Sequence, residues 1–148
     1  MTGPDYDDPA VEKQWCADRR AEVERYLASE GVKHGRIGDW PAWHITPYVS
    51  VWAIESNVKP GWVGWWVIAG DLPTDYVSAT KIKHPRKALQ AFADRWERHC
   101  KSVRAGTATP EMSIDDSAGT PEDLVPLLES RSKMLASWAH DDSIWEDL

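Results

Sequence analysis

Residues 43–69 read WHITPYVSVWAIE, then SNVKPG, then WVGWWVIA, and this stretch decides the fold. In its first part Trp43, Ile45, Val49, Val51 and Ala53 alternate with His44, Thr46, Tyr48, Ser50 and Trp52, the period of two that marks a strand with two distinct faces. Pro47 has no N–H for a ladder, so it places this strand at an edge or gives it a bulge near its start. The last part is apolar on both faces, as in a strand covered on both sides, or covered on one and offered to a partner on the other. The turn at 56–61 is too short for a crossover, so 43–55 and 61–69 are expected to form an antiparallel hairpin.

Outward from the hairpin, a turn at 70–75 precedes a third strand at Tyr76–Ile82. Upstream, residues 32–41 are punctuated by Gly35 and Gly38 and cannot be a long regular element. Three helices flank this region. Val11, Trp15, Cys16, Val23, Tyr26 and Leu27 recur at helical spacing over about 9–30, with Asp8 as N-cap, Pro9 at the first helical position and Gly31 past the end. Pro85 opens a helix over about 85–104, whose Ala88, Leu89, Phe92, Ala93, Trp96, His99, Cys100 and Val103 form an unbroken apolar stripe. Leu124, Leu127, Leu128, Leu135 and Trp138 supply the stripe of a last helix over about 121–139, with Pro126 early in it. Residues 105–119 read as a long loop. The expected fold is α+β: a small antiparallel sheet of two or three strands covered by three helices. A single domain at 9–140 then carries a flexible acidic start at 1–8 and an acidic tail at 141–148, where Ile144 and Trp145 can fold back onto the body.

The chain has 148 residues, 42% apolar and 28% charged, values of an ordinary soluble domain that exclude collagen-like, disordered and disulfide-scaffold classes. Ten tryptophans stand beside one phenylalanine. The net charge of −7 resides in the two ends. Residues 81–104 hold eight Lys or Arg against Asp94 and Glu97, whereas 105–140 hold six acids against Arg131 and Lys133, so either two complementary solvated faces or a pair of helices attracted to each other is expected. A chain of this balance is not expected to bind nucleic acid. No 18-residue apolar run is present to cross a membrane, and the start has no signal-peptide pattern. A cytoplasmic location is therefore expected, with Cys16 and Cys100 as buried free thiols.

The segments GDWPAWHI (38–45), VSVWAIES (49–56), GWVGWWVIAGDLPTDY (61–76), HPRKAL (84–89) and LLESR (127–131) together resemble a family of small bacterial proteins of unknown function. The likeness covers nearly the whole chain, names no activity and carries over no catalytic residue. The two Gly-Asp-x-Pro runs within it, at 38–41 and 70–73, use the same turn chemistry: Gly for a positive φ, Asp to bond a backbone N–H, Pro to fix φ.

Two functional readings follow. The favoured one is a non-enzymatic protein-binding module of regulator, inhibitor or immunity type, in which Trp40, Trp52, Tyr76 and Arg131 are the candidate binding residues for a protein partner. Six tryptophans between Trp40 and Trp66 cannot all share one core, since Trp62 and Trp66 fall on one face of a regular strand and Trp65 on the other. The alternative is a small-molecule or metal-dependent enzyme built on His44 with Asp39, Asp71 and Asp75, beside Thr74. A histidine among carboxylates performs acid–base chemistry or holds a divalent ion when the groups meet. The plainer reading makes Asp39 and Asp71 turn caps and His44 a half-buried strand residue, with Arg19, Arg20 or Arg131 pairing to a carboxylate such as Glu55 or Glu129. No phosphate loop, serine nucleophile motif or zinc spacing is present in the sequence, and no cofactor or metal is expected.

Overall fold

A computed structural model describes residues 5–106 and 121–146. The expected loop at 105–119 lies mostly outside the described residues. The elements run α1 (Pro9–Ser29), β1 (His34–Ile37), β2 (Trp43–Ile45), β3 (Val49–Ser56), β4 (Val63–Gly70), β5 (Leu72–Ser78), α2 (Pro85–Arg104) and α3 (Pro121–His140), then a short 3-10 turn at Asp142–Trp145. Among the described residues the class is α+β with three helices, as read from the sequence. The sheet they form, however, has five antiparallel strands in the order β1-β3-β4-β5, with β2 also paired to β3.

Two strand boundaries correct the sequence reading through turn chemistry, and one short strand is added to it. Pro47 breaks the single strand expected over 43–55. The chain reverses between Ile45 and Tyr48, whose N–H donates to the Ile45 carbonyl at 2.7 Å, so β2 folds back on β3 with Trp43 opposite Val51. The Thr46–Pro47 peptide is cis. The glycine-punctuated stretch supplies the four residues of β1 against the end of β3. Finally, only Asp71 stands between β4 and β5, with Gly70 paired to Leu72, so β5 begins at Leu72 and ends at Ser78, earlier than the expected Tyr76–Ile82. Pro73 is tolerated because β5 is an edge strand of the described sheet. Gly70 has φ +148° and a Cβ there would lie 2.4 Å from the Tyr48 carbonyl oxygen, so only glycine lets the two turns meet.

The sheet is covered on both faces. Trp43, Val49, Val51, Trp66 and Ile68 face α2 and α3, packing with Leu89, Phe92, Trp96, Leu128 and Leu135. Trp52, Ile54, Val67 and Ala69 point the other way, onto Val23, Tyr26 and Leu27 of α1. The alternation read in 49–53 thus sorts side chains between two cores, and this explains why β4 is apolar on both faces. The helix starts follow their caps: Asp8 accepts from the Ala10 N–H at 2.9 Å, and His84 Nδ1 accepts from the Arg86 N–H at 3.0 Å. Ile144 and Trp145 do fold back, with the buried Trp145 ring stacked on Trp43 at 4.6 Å. The charge complementarity of the last two helices is realised in the ion pair from Arg104 to Glu129, and Arg86 also pairs with Asp142 of the 3-10 turn.

Candidate functional site

The residues singled out in the sequence go to separate places. Asp39 pairs with Arg36 three residues earlier, and both side chains are largely exposed. His44 lies between Trp15, stacked at 6.4 Å, and Trp40, edge-on at 5.3 Å, with its Nε2 3.4 Å from Glu12 Oε2. Asp71 is held by Arg131 of α3, whose Nε donates to the Asp71 carbonyl at 2.7 Å and whose Nη2 donates to its carboxylate at 3.3 Å. Asp75 is fully buried and accepts from Arg95 and Trp96. No hydrogen bond or ion pair joins any two of Asp39, His44, Asp71 and Asp75, and among the described residues no three His, Cys, Asp or Glu are placed to hold a metal ion. Thr74 is buried, and Tyr76 packs edge-on against Tyr26 at 5.9 Å.

Arg19 and Arg131 each pair with a carboxylate, as the plainer reading expects, but with Glu22 and Asp71 and not with Glu55 or Glu129. Arg20 donates to the Gly38 and Ile37 carbonyls at 2.9 and 3.1 Å, and Arg19 pairs with Glu22 and lies over the Trp15 ring. Glu129 is taken by Arg104 and Lys133 instead of Arg131. Neither cysteine is poised as a nucleophile: Cys16 and Cys100 are both free and buried, and burial pushes the Cys16 thiol up to about 11 and raises that of Cys100.

Of the binding candidates, Trp52 is wholly inside, its Nε1 donating at 2.8 Å to Ser50 Oγ, which in turn donates to the Ala69 carbonyl at 2.8 Å. Trp40 is 47% exposed. The most exposed indole is one that strand alternation placed on the same face as Trp66: Trp62, at 63%. A bulge is the reason. Ile54 pairs with Trp65 but Glu55 pairs with Val63, so Gly64 is an extra residue that shifts the alternation by one. A Cβ on Gly64 would lie 2.9 Å from the Ser56 Cα, so the bulge needs glycine there. Trp66 stays in the core, while Trp62 and Val63 turn outward beside Val58.

The turn that carries Trp62 is fixed by two side chains of β3. Ser56 Oγ accepts from the Val58 and Lys59 N–H groups, both at 3.1 Å. Glu55 accepts from the Gly61 N–H through Oε2 and from the Arg36 N–H through Oε1, each at 2.9 Å. These two backbone N–H bonds hold the Glu55 carboxyl below the usual carboxylate range. The Trp62 N–H donates to the Lys59 carbonyl at 3.0 Å, and the Ser56 N–H donates to the Trp62 carbonyl at 2.8 Å. Apolar side chains at the tip therefore project from a backbone whose N–H groups at Val58, Lys59, Gly61 and Trp62 are all bonded. Beside them is a groove of about 430 Å³ whose walls include Val58, Lys59, Trp62, Trp65, Thr80 and Lys83. The sequence signal for this arrangement was Glu-Ser-Asn-x-Lys-Pro-Gly at 55–61, which identifies a turn but not the exposure that the Gly64 bulge creates.

No curated protein and no solved structure matches the chain. A family model does match, over residues 9–145. From the first helix to the packed Trp145, this chain belongs to the family described as "Domain of unknown function (DUF4826)".

Proposed function

We propose that this protein is a non-enzymatic protein-binding module, of regulator, inhibitor or immunity type, and that it docks through the tip of the β3–β4 hairpin. One observation carries the reading: Trp62, 63% exposed, stands with Val58 and Val63 on a turn fixed by Ser56 and Glu55. Leaving apolar surface in water forgoes about 25 cal/mol per Å² that burial would return. Tryptophan is over-represented among residues that dominate binding energy, and a pre-set turn loses little conformational entropy when a partner closes over it. Trp40 and Tyr48 are the other exposed large aromatics among the described residues, but neither belongs to a turn held in this way.

The test is quantitative affinity capture from the source organism with wild type and Trp62→Ala in parallel, both verified as folded by circular dichroism. The expected result is a small set of proteins retained by the wild type and lost by the variant. Retention of the same set by both, or of none by either, contradicts the reading.

A further inference from the structure

The groove beside Trp62 has a charge character opposite to that of the whole molecule. The chain carries a net charge of −7, yet among the described residues the groove is lined by Lys59 and Lys83 and by no carboxylate. The nearest acid of the turn, Glu55, borders an adjoining groove with Arg36 and Gly61 and spends its oxygens on two backbone N–H groups. Lys59 Nζ stands 5.5 Å from the Trp62 ring centroid, and Lys83 Nζ uses one of its hydrogens on the Ala79 carbonyl at 3.3 Å. An ammonium has three donors, so both lysines keep donors for an incoming acceptor. The hydroxyls of Ser78 and Thr80 bond one another at 2.8 Å along the same wall. At about 430 Å³ the space falls within the roughly 300–1,000 Å³ typical of ligand sites.

We propose that this groove binds an acidic peptide segment of a protein partner, with carboxylates on Lys59 and Lys83 and an aliphatic side chain against the Trp62 indole. The proposal rests on the protein-binding reading and adds the chemistry of the partner. A basic or neutral segment would leave two ammonium groups without counter-charge, whereas an acidic one satisfies them and gains apolar contact at the same place.

The experiment is fluorescence anisotropy with a fluorescein-labelled peptide of alternating glutamate and leucine, beside peptides in which serine or lysine replaces glutamate. Wild type is expected to bind the glutamate peptide most tightly, with affinity falling as salt rises because the lysines are solvated. Lys59→Glu with Lys83→Glu should weaken it by tenfold or more, and so should Trp62→Ala. Equal binding of the serine and glutamate peptides, or indifference to the two lysine reversals, overturns the acidic partner. If the serine peptide binds equally well and Trp62→Ala still abolishes that binding, the docking surface stands and only its acidic preference falls. Absence of binding by all three peptides overturns the groove as a peptide site, and the capture experiment with Trp62→Ala then decides separately whether the tip docks a protein.

Discussion

The indole N–H of Trp96 donates to Asp75 Oδ2 at 3.0 Å, inside the core between β5 and α2. The same oxygen accepts from Arg95 Nε at 2.9 Å, and Oδ1 accepts from the Tyr76 N–H at 2.8 Å. A carboxylate that the sequence offered for catalysis is thus a fully enclosed tie between strand and helix. Burial raises its pKa above the usual range, while Arg95, the Trp96 N–H and the Tyr76 N–H act in the opposite direction.

Removing the counter-charge should expose that balance. Arg95→Met leaves Asp75 without its cation, and breaking a buried pair in this way costs about 3–5 kcal/mol at neutral pH. The sign with pH follows from the raised pKa. In the wild type the favourable contribution of Asp75 is fully present below the ordinary carboxylate pKa and is lost as pH rises through the raised folded value. The variant's folded pKa is higher still, so the gap between variant and wild type should narrow as acid protonates Asp75 in both. Urea midpoints at a series of pH values measure it.

The tryptophans should divide sharply by position. Trp52→Ala removes a wholly buried indole and should cost about 3–5 kcal/mol, whereas Trp62→Ala, at an exposed tip, should change stability by less than about 0.5 kcal/mol. Equilibrium urea denaturation of the two variants beside wild type checks both.

That division was only partly legible in the sequence. Helix positions followed from caps and apolar stripes, because Asp8, Pro9, Pro85 and their glycines act locally. The sorting of β3 side chains between two cores followed from alternation across Val49–Ala53. What local pattern could not convey was register. The reversal at Pro47, the tight turn at Asp71 and the Gly64 bulge each depend on which backbones approach one another. Trp62 was misplaced for that reason, and the candidate cluster at the strand ends was not assembled because Arg36, Glu12, Arg131 and Arg95 each claimed one member.

Arg20 should matter to the loop that carries Trp40. Its guanidinium bonds the carbonyls of Ile37 and Gly38 across from α1, and hydrogen bonds from a charged donor are worth about 1.5–3 kcal/mol. Arg20→Met should lose stability of that order and speed amide exchange at Gly38 and Ala42, whose N–H groups bond the Ala53 and Val51 carbonyls. Hydrogen exchange followed by NMR gives the answer residue by residue.

Glu55 should act on binding without touching a partner. Because its folded pKa is depressed, its contribution is present above the ordinary carboxylate pKa and is lost as pH falls through the lowered value. Glu55→Gln should therefore release the turn at neutral pH, with faster exchange at the Gly61 and Arg36 amides and weaker partner binding. At strongly acidic pH the exchange rates of the variant and the wild type should converge.

The hairpin tip, and not the tryptophan core beneath it, is expected to meet the partner. Fluorine NMR of protein labelled with 5-fluorotryptophan resolves this directly, with the Trp62 resonance assigned by its loss in Trp62→Phe and those of Trp52 and Trp96 assigned in the same way. On addition of a partner recovered by affinity capture, the Trp62 resonance should shift or broaden while those of Trp52 and Trp96 stay in place. An unchanged Trp62 resonance under saturating partner, with shifts at Trp40 or elsewhere, would rule out docking through the hairpin tip.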